Sequence, residues 1–502
     1  MQLYKKFLIG ILIICFLFPA CSSNEANNNN NQNVNDPNET DSVKDTERER
    51  PVIPVGTNYG GYELRILAPE NHISGISAYG DLYVEEEVGE TLNDAVFRRN
   101  MIVEELLNFK ITAIIKGVWY ELAAYAQKSI QAGDDDFDVV YGAYQPTLAY
   151  NGCLVNLFNV NNIDLSKPWW NQRLIEDLSY KQNKLYYING DLTFLDKYGI
   201  ACLLFNKQLF DDYGIEYPYE QVRQGRWTFD EFTKLVKGFG TDLNGDDKMN
   251  EHDLWGLTGN VAEIFRFMYG SNERIMSFSE NNTIPTLNYF NERHINIVSK
   301  IVDVLSDRAN ILIADSGQLS HLSDGYAGGD FVNRSGRTLL ISGMVGSIPD
   351  MRAVEYDFGI IPFPKSDAAQ QNYYSMVSTY GWGTALSIPT TNINVERTGL
   401  ILEVMSGYST DIIIPALIDV SLKSKYVRDE ESAEMLEILL KSTFYDVSNE
   451  YAWGQVVWSG LMGIYYEAVK NGFGKFVSSM EAQLNKVEAD TEKWIAAFEE
   501  LN

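Results

Sequence analysis

The amino-acid sequence predicts an α/β fold, and three observations support this prediction. Between residues 62 and 142, short segments with the two-residue periodicity of β-strands alternate with longer segments of helical periodicity. The last strand of this series is mostly apolar, as expected for a strand buried on both faces. The order strand–helix–strand–helix–strand implies a parallel sheet covered by helices on both sides.

Three segments carry the strand signal. Apolar and polar residues alternate in YELRILA (62–68) and in FKITAII (109–115), and FDVVYG (137–142) is a short buried run. Ligands of parallel sheets bind beyond the carboxyl ends of the strands. The loop YGAYQPTLAYNG, which follows Val140, is therefore predicted to face a ligand.

Helical periodicity fills the intervals between these strands. TLNDAVFRRNMIVEELL (91–107) places four apolar residues on one face, namely Leu92, Val96, Val103 and Leu106. WYELAAYAQKSIQAG (119–133) predicts a second helix. The last 25 residues repeat apolar groups at helical spacing, which predicts an amphipathic helix packed on the body.

A complete helix start lies in RWTFDEFTKLVKGFG. Thr228 is predicted as the N-cap and Glu231 as the third helical residue of a capping box. Trp227 and Phe232 are spaced as a hydrophobic staple, and Gly238 follows the helix. We therefore expect Trp227 to be a structural clamp rather than a platform for a ligand.

The formal net charge of −29 excludes one class of partner. A surface this acidic repels the phosphates of nucleic acids, so no nucleic-acid partner is expected. The charge is typical of a chain that stays soluble outside the cell, and we expect a monomer.

The N-terminal residues predict export and lipidation. Lys5 and Lys6 precede the apolar run FLIGILIICFLF, which is too short to span a bilayer but has the length of a signal-peptide core. The sequence FPAC, with Ala20 before Cys21, resembles a bacterial lipobox, although Phe18 stands where the pattern usually has Leu. Lipidation of Cys21 would place the protein outside the cytoplasm, anchored to the cell membrane. The alternative is a plain secretory signal.

A polar linker is predicted after Cys21. Residues 21–58 contain few apolar side chains before Val52 and cannot bury a core, so they predict a flexible tether. In the body that follows, Cys153 and Cys202 both lie in apolar segments. Two separate buried thiols are favoured, and a single disulfide between them is the alternative.

Several motifs in fixed order resemble one family. After the lipobox and linker come DFDVVYG, YYINGDLTFLDKYGIACLLFNKQLFDDYGI, GRWTFDEF and YDFGIIPFPKSD. Together they resemble the extracellular solute-binding lipoproteins of bacterial ABC importers, especially the carbohydrate-binding group, over nearly all of 59–502. The resemblance implies capture of a carbohydrate, with an oligosaccharide expected, and its delivery to the transmembrane subunits of an ABC permease.

The same resemblance implies a two-lobed, periplasmic-binding-protein-like fold with an interlobe cleft and a discontinuous chain path. The implied segments are a signal peptide (1–20), the linker (21–58), lobe one (59–163 and 333–388) and lobe two (164–332 and 389–502). In this assignment RTLLISGMVGS (337–347) and YDFGIIPFP (356–364) complete the first lobe.

Candidate ligand residues follow from the chemistry of a sugar, which offers apolar ring faces and a rim of hydroxyl groups. Tyr144 and Gln145 lie in the loop after a predicted strand, where family members contact ligand. Trp382 lies between two glycines that permit close approach, and Trp453 lies where relatives often present an aromatic platform. Asp191 lies near an expected interlobe crossing. The pair in KPWWNQ (167–172) could form another platform, but paired tryptophans after a proline are more typical of a core, which is the favoured interpretation.

Enzyme chemistry finds little support in the sequence. The four histidines show no metal-ligand spacing, and neither an HExxH pair nor a GxSxG motif occurs. Paired carboxylates in DDDFD (134–138) would suit a glycoside hydrolase, but they precede a strand and are typical of a solvated turn. We therefore expect a protein that is not an enzyme. A carbohydrate-active surface hydrolase and a non-transport surface lipoprotein are the alternatives.

A twelve-residue acidic loop predicts a structural calcium site. Oxygen ligands fall at alternate positions, supplied by the side chains or carbonyl groups of Asp242, Asn244, Asp246, Lys248 and Asp253. The loop departs from the pattern at position 6, where Asp247 replaces Gly and must adopt a left-handed conformation. Since no helical pattern follows the loop, it cannot work as a two-helix calcium sensor. A metal-free polar turn is the alternative.

Overall fold

The computed structural model describes residues 49–71, 78–143, 145–278, 285–322, 324–377, 384–418, 429–450 and 460–501. Residues Arg50–Asn502 form one compact unit, and Met1–Glu49 form a second unit in which only Glu49 is described. The architecture is mixed α/β, as predicted, and is built on two sheets.

The first sheet has the strand order β12-β3-β1-β2. Its strands are β1 (Tyr62–Ala68), β2 (Phe109–Ile115), β3 (Val139–Gly142) and β12 (Ala385–Ser387). β1 pairs in parallel with β2 and with β3, so the predicted parallel sheet is confirmed. β12 arrives from much later in the chain and pairs antiparallel with β3.

The second sheet has the strand order β10-β4-β9-β5-β8. Its strands are β4 (Ala201–Asn206), β5 (Trp255–Gly259), β8 (Ile311–Ile313), β9 (Thr338–Met344) and β10 (Phe358–Ile361). β5, β8 and β9 run parallel, while β4 is antiparallel to both of its neighbours. Two short pairs accompany it, β6 (Met276–Phe278) with β7 (Pro285–Leu287) and β11 (Ser375–Met376) with β13 (Thr443–Phe444).

One part of the lobe assignment is wrong. The segments 337–347 and 356–364 form strands as predicted, but β9 and β10 pair with β4 in the second sheet instead of completing the first. Of the strands described between 333 and 388, only β12 joins the first sheet. The periodicity of a segment predicts that it is a strand but not which other strand it pairs with, because tertiary packing decides the pairing.

Helices cover both sheets. In chain order they are α1 (Thr91–Leu107), α2 (Leu122–Ala132), α3 (Gln145–Tyr150), α4 (Gln172–Leu178), α5 (Leu195–Tyr198), α6 (Lys207–Asp212), α7 (Tyr219–Arg223), α8 (Phe229–Val236), α9 (Glu263–Gly270), α10 (Glu292–Leu305), α11 (Gly325–Arg334), α12 (Val395–Pro415), α13 (Glu430–Lys441), α14 (Val447–Glu450), α15 (Met462–Asn471) and α16 (Phe476–Glu500).

Side-chain caps explain where the predicted helices begin. α1 starts because the Glu90 carboxylate accepts the N–H groups of Leu92 and Asn93, at 2.9 and 3.0 Å. Of the face predicted for α1, Leu92, Val96 and Val103 are buried, but Leu106 is exposed and Leu107 fills its place.

The predicted N-cap of α8 is also confirmed, but the Glu231 carboxylate, expected to complete the capping box, is paired with Lys234. The Glu231 N–H donates to the Thr228 hydroxyl at 3.4 Å. The rings of Trp227 and Phe232 meet edge to face, with centroids 6.4 Å apart. Trp227 is buried and donates its indole N–H to the Pro362 carbonyl, so it is a structural clamp as expected.

α12 is the longest apolar helix among the described residues. With its continuation to Ile418 it has 24 residues, enough by length and composition to cross a membrane, yet more than half of its most apolar stretch is buried inside the protein. It packs on the first lobe, where Arg99 of α1 donates to the Ser409 hydroxyl at 2.8 Å. The assignment of all of 389–502 to lobe two is therefore also wrong at this helix.

Two predictions about buried residues are confirmed. Cys153 and Cys202 are separate buried thiols, and burial raises the pKa of both. Trp169 and Trp170 fill the core, and the Trp170 indole N–H donates to the carboxylate of Glu403 on α12 at 2.8 Å.

Candidate ligand-binding site at the junction of the sheets

Two chain segments connect the sheets, and we call them the first and second crossings. Ile188 lies beside β12, exchanging backbone hydrogen bonds of 2.8 and 2.9 Å with Leu386. The chain then enters the second sheet at Ala201, so 189–200 is the first crossing. After β10 of the second sheet the chain returns to β12 of the first, and we name the second crossing by its two described residues, Val377 and Thr384.

A cavity of about 230 Å³ lies against these crossings. Its polar lining comes from Asn171, Asp191, Asp196, Lys197, Thr443 and Tyr445. Its apolar lining comes from Pro168, Trp170, Ile200, Val377, Ile414, Leu417, Ile418 and Leu440. A cavity with apolar walls and a few convergent polar groups is the usual form of a small-molecule site.

Asp191 contributes a carboxylate to this cavity. Its Oδ2 accepts the Thr410 hydroxyl at 2.6 Å, and its backbone N–H donates to the Trp169 carbonyl at 2.9 Å. Burial raises the pKa of Asp191, while nearby Lys197 opposes that shift. The side chain is therefore held in one place as a hydrogen-bond acceptor.

Lys197 is engaged within the crossing. Its ammonium group donates to the carbonyl groups of Gly190 and Thr193, at 2.7 and 2.9 Å, and lies 3.0 Å from Asp196 Oδ2. Burial raises the pKa of Asp196, and Lys197 counteracts it. With Asp191 included, two carboxylates face one ammonium group, so the polar wall has no surplus of positive charge.

Tyr445 completes the polar wall. Its phenol oxygen accepts the amide N–H groups of Asn171 and Asn189, at 2.8 and 3.5 Å. Because both contacts use the oxygen as acceptor, the phenol hydrogen can be donated to a bound molecule. Burial raises the pKa of Tyr445 well above its usual value, so the group stays a neutral donor.

The carboxyl end of the first sheet presents two aromatic side chains that sequence reasoning did not select. Trp119 and Tyr120 lie in the turn between β2 and α2, Trp119 being half-buried and Tyr120 58% exposed. Their rings meet edge to face with centroids 5.3 Å apart. The rule that ligands lie beyond strand ends, applied to β2 as well as β3, would have found them.

The corresponding end of the second sheet is polar. Arg266 of α9 lies 2.8 Å from the Glu263 carboxylate and donates to the Ser342 hydroxyl of β9 at 2.6 Å. The Val261 N–H, just after β5, donates to Asp315 at 2.9 Å. The charges at this edge are therefore paired within the protein.

Comparisons with known proteins address the fold. No protein-family model and no curated protein sequence matches the chain. Many solved structures do match. One is an ABC substrate-binding protein from Listeria monocytogenes in complex with cycloalternan, with a TM-score of 0.54 and 13% identity over 86% of this chain and 98% of that chain. A cyclo/maltodextrin-binding protein complexed with maltotetraose has a TM-score of 0.56 and 13% identity, covering 86% and 97%.

A third match has a ligand that is not a sugar. UgpB from Mycobacterium tuberculosis, in complex with glycerophosphocholine, has a TM-score of 0.53 and 15% identity, covering 87% of this chain and 99% of that chain. The fold is that of the ABC-transporter substrate-binding proteins. The expected two-lobed fold is thereby confirmed: β1–β3 with β12 form the sheet of one lobe, and β10, β4, β9, β5 and β8 form that of the other.

Within this substrate-binding fold, the predicted ligand residues fall into three groups. Asp191 lines the cavity, as described. Tyr144, Trp382 and Trp453 lie outside the described residues, so they stay predictions. Gln145 is described and has a different role.

Gln145 is fully buried between β3 and β12. Its amide nitrogen lies within hydrogen-bond distance of three backbone carbonyls, the shortest contact being 3.1 Å to Ala385, and its oxygen accepts the Ser387 hydroxyl at 2.7 Å. A ligand would have to displace these bonds. The geometry therefore favours a structural role for Gln145 over the predicted ligand contact.

The predicted calcium loop adopts the required turn. Asp247 has φ 61°, the left-handed conformation that position 6 demands. Asp242 accepts the N–H groups of Gly245 and Asp247, at 2.7 and 2.8 Å, so its carboxylate lies inside the loop. Asp253 is buried and accepts the N–H groups of Leu243 and Asn250, at 2.9 and 2.7 Å.

The donor chemistry of this loop fits calcium, since carboxylate, amide and carbonyl oxygens are all present. Within the described ranges, however, no group of three or more His, Cys, Asp or Glu side chains is arranged to hold a metal ion. A complete calcium shell would therefore depend on Asn244, the Lys248 carbonyl and water as well as on the carboxylates.

Proposed function

We propose that this protein captures a carbohydrate between its two lobes outside the cytoplasm and delivers it to an ABC permease. The observation that carries the proposal is the cavity at the crossings, which combines fixed hydrogen-bonding groups with apolar walls in a chain of substrate-binding fold. The solved structures named above include complexes with cycloalternan and with maltotetraose, which favours an oligosaccharide.

The chemistry of the cavity suits hydroxyl groups. Asp191 accepts a hydrogen bond, and Tyr445 can donate one, so a single hydroxyl-bearing ring can satisfy both. An anionic ligand would meet the carboxylates of Asp191 and Asp196 with only Lys197 in compensation. The site therefore favours an uncharged sugar over a sugar acid or phosphate.

Aromatic side chains would supply the stacking surfaces. Trp119 and Tyr120 lie at the carboxyl end of β2, where ligands of this fold are expected. Trp382 and Trp453 remain the preferred stacking residues from the sequence. A row of aromatic faces extending from the cavity would suit an oligosaccharide better than a single sugar.

Anchoring through Cys21 is part of the proposal. A lipidated Cys21 and the linker of residues 21–58 would hold a monomeric body near its membrane-embedded permease. Cys21→Ser should release the protein into the medium or leave it as unprocessed precursor, which fractionation and immunoblotting would reveal. Correctly cleaved Cys21→Ser protein retained on the membrane would contradict the anchor.

Calcium would have a structural role in the loop from Asp242 to Asp253. Support comes from the left-handed conformation of Asp247 and from the inward position of the Asp242 carboxylate. A bound ion would stabilise the loop between α8 and β5 without changing the ligand site.

A thermal-shift screen of the full chain tests the proposed function. The panel contains neutral mono- and oligosaccharides, sugar acids, glycerophosphocholine and short peptides. A ligand that binds only the folded protein raises its melting temperature, and we expect this for neutral oligosaccharides. No shift from any compound would favour the non-transport surface lipoprotein. A shift from glycerophosphocholine or a peptide alone would contradict the carbohydrate assignment.

A further inference from the structure

A buried carboxylate lies where the first crossing meets lobe one. Asp81 ends a short 3-10 turn, Ala78–Asp81, and is fully buried. Its Oδ2 accepts the backbone N–H groups of Phe194 and Leu195, at 3.1 and 3.2 Å. These amides begin α5, the helical turn inside the first crossing, so Asp81 holds the start of α5 from outside the crossing.

The same carboxylate is connected to the rest of lobe one and to the second crossing. The Tyr141 hydroxyl of β3 donates to Asp81 Oδ2, and a hydrogen bond of 2.7 Å joins Tyr141 Oη to Thr384 Oγ1. Arg99 of α1 donates to the Asp81 backbone carbonyl at 3.0 Å. The Asp81 side chain therefore links its own 3-10 turn and β3 to the first crossing. Through Tyr141 it is also linked to Thr384 of the second crossing.

The other end of the first crossing belongs to the second lobe. The Val345 N–H, directly after β9, donates to the Ile200 carbonyl at 2.9 Å, and β4 begins at the next residue. Gly346 packs so closely on Tyr198 that an added Cβ would lie 2.8 Å from the Tyr198 Cβ. The chain between Leu195 and Ile200 is thus held by lobe one at its start and by lobe two at its end.

We propose that Asp81 pins the first crossing to lobe one, so that rotation of the lobes bends the chain between Asp196 and Ile200. Asp191 lies before this bend and is tied to lobe one through Thr410 of α12. It would therefore keep its position relative to lobe one when the lobes move. Asp81 is in this sense a positioning residue, because it acts on the ligand site through the backbone of the crossing.

The strength of the pin should depend on pH. Burial raises the pKa of Asp81 to about 7, against the lowering effect of the bonds from Tyr141, Leu195 and Phe194. The titratable groups that face it are Tyr141 on β3, Arg99 on α1, and Asp196 on the crossing, which Lys197 compensates. An opening that lets water reach these amides also hydrates Asp81 and returns its pKa towards the ordinary value, so ionisation favours the open state and the hold of Asp81 on the crossing weakens as the pH rises through about 7.

Hydrogen–deuterium exchange of the ligand-free full chain tests the proposal. Peptides covering 192–200 report the amides of Phe194 and Leu195, and peptides covering 201–206 report β4. Exchange is compared at about pH 5.5 and about pH 8.5 after correction for intrinsic rates. In the wild type we expect the protection of 192–200 to be roughly tenfold lower at the alkaline pH, with β4 protected at both.

Asp81→Asn should remove this pH dependence. Its 192–200 peptides should exchange at both pH values as the wild type does in acid. The matched control is Asp446→Asn, another fully buried carboxylate that accepts two consecutive backbone N–H groups, those of Ile275 and Met276. Because neither amide lies in a crossing, Asp446→Asn should leave the pH dependence of 192–200 unchanged.

Two results would overturn the proposal. One is equal protection of 192–200 in the wild type at both pH values, and the other is loosening that extends into β4. If Asp81→Asn does not fold, Tyr141→Phe replaces it, since it deletes one donor to Asp81 and should lower protection of the same peptides. The experiment uses no sugar, so its failure would leave the proposed carbohydrate function untouched.

Discussion

At the scale of single residues, Asp191 is the acceptor that the proposed site depends on most. Asp191→Asn removes its charge with little change of shape, and we expect about a tenfold loss of affinity for a sugar identified by the thermal-shift screen. Calorimetry measures the loss. Asp411→Asn is the control, because that carboxylate lies on α12 next to Thr410, the partner of Asp191, but pairs with Arg50 at 2.6 Å and is not part of the cavity lining. Unchanged affinity of Asp191→Asn would remove it from the site.

The aromatic residues give a second prediction at this scale. Truncating a stacked aromatic at a recognition site commonly costs about 2 kcal/mol or more, which is over tenfold in affinity. We therefore expect at least one of Trp119→Ala, Trp382→Ala and Trp453→Ala to bind the sugar much more weakly while remaining folded. Tyr213→Ala, which removes an exposed ring that packs on Phe239 in the second lobe, is the control. Wild-type affinity in all three variants would mean that the sugar binds elsewhere.

The sequence allowed only part of the site to be predicted. Asp191 could be found because its segment, NGDLTF, could be placed near a crossing by family resemblance. Gln145 follows β3 as expected, but its structural role could not be predicted, because its partners Ala385 and Ser387 lie about 240 residues away and no local pattern contains them. Tyr445 was missed for the same reason, since its neighbours Asn171 and Asn189 become neighbours only when the chain crosses between lobes.

At the scale of elements, periodicity and caps were sufficient for local structure. β1, α1 and β2 occur with the predicted bounds, and α8 begins at its predicted cap, because these features depend on residues within a few positions of one another. Sheet membership depends on distant partners. β9 pairs with β4, 130 or more residues earlier, through contacts such as Cys202 with Gly343, and this could not be inferred from its own sequence.

The acidic loop gives a prediction for one element. Removal of calcium should lower the melting temperature, because the ion would bind only the folded loop, and a chelator titration followed by calorimetry would measure this. Asp242→Ala combined with Asp246→Ala should abolish the sensitivity to chelator. Glu251→Gln is the matched control, because Glu251 lies in the same loop but is paired with His321, at 2.8 Å. A wild-type melting curve that chelator leaves unmoved would show that calcium does not stabilise this loop.

At the scale of the whole molecule, the two sheets and two crossings explain how one chain can close on a ligand. The crossings that connect the lobes line one cavity. A ligand that contacts both lobes there binds the closed arrangement more tightly than the open one, and this difference in affinity shifts the protein towards closure. Such a protein must also release its ligand. We therefore expect moderate affinity, on the order of micromolar, which corresponds to about −8 kcal/mol.

Calorimetric titration of the wild-type protein with the best oligosaccharide of the screen, followed by chromatographic recovery of the sugar, tests the central claim most directly. The account predicts one sugar bound per chain and its recovery chemically unchanged, as befits a protein that binds and releases its ligand. Saturable binding followed by consumption of the sugar would establish the surface hydrolase instead. The absence of any saturable heat would contradict carbohydrate capture itself.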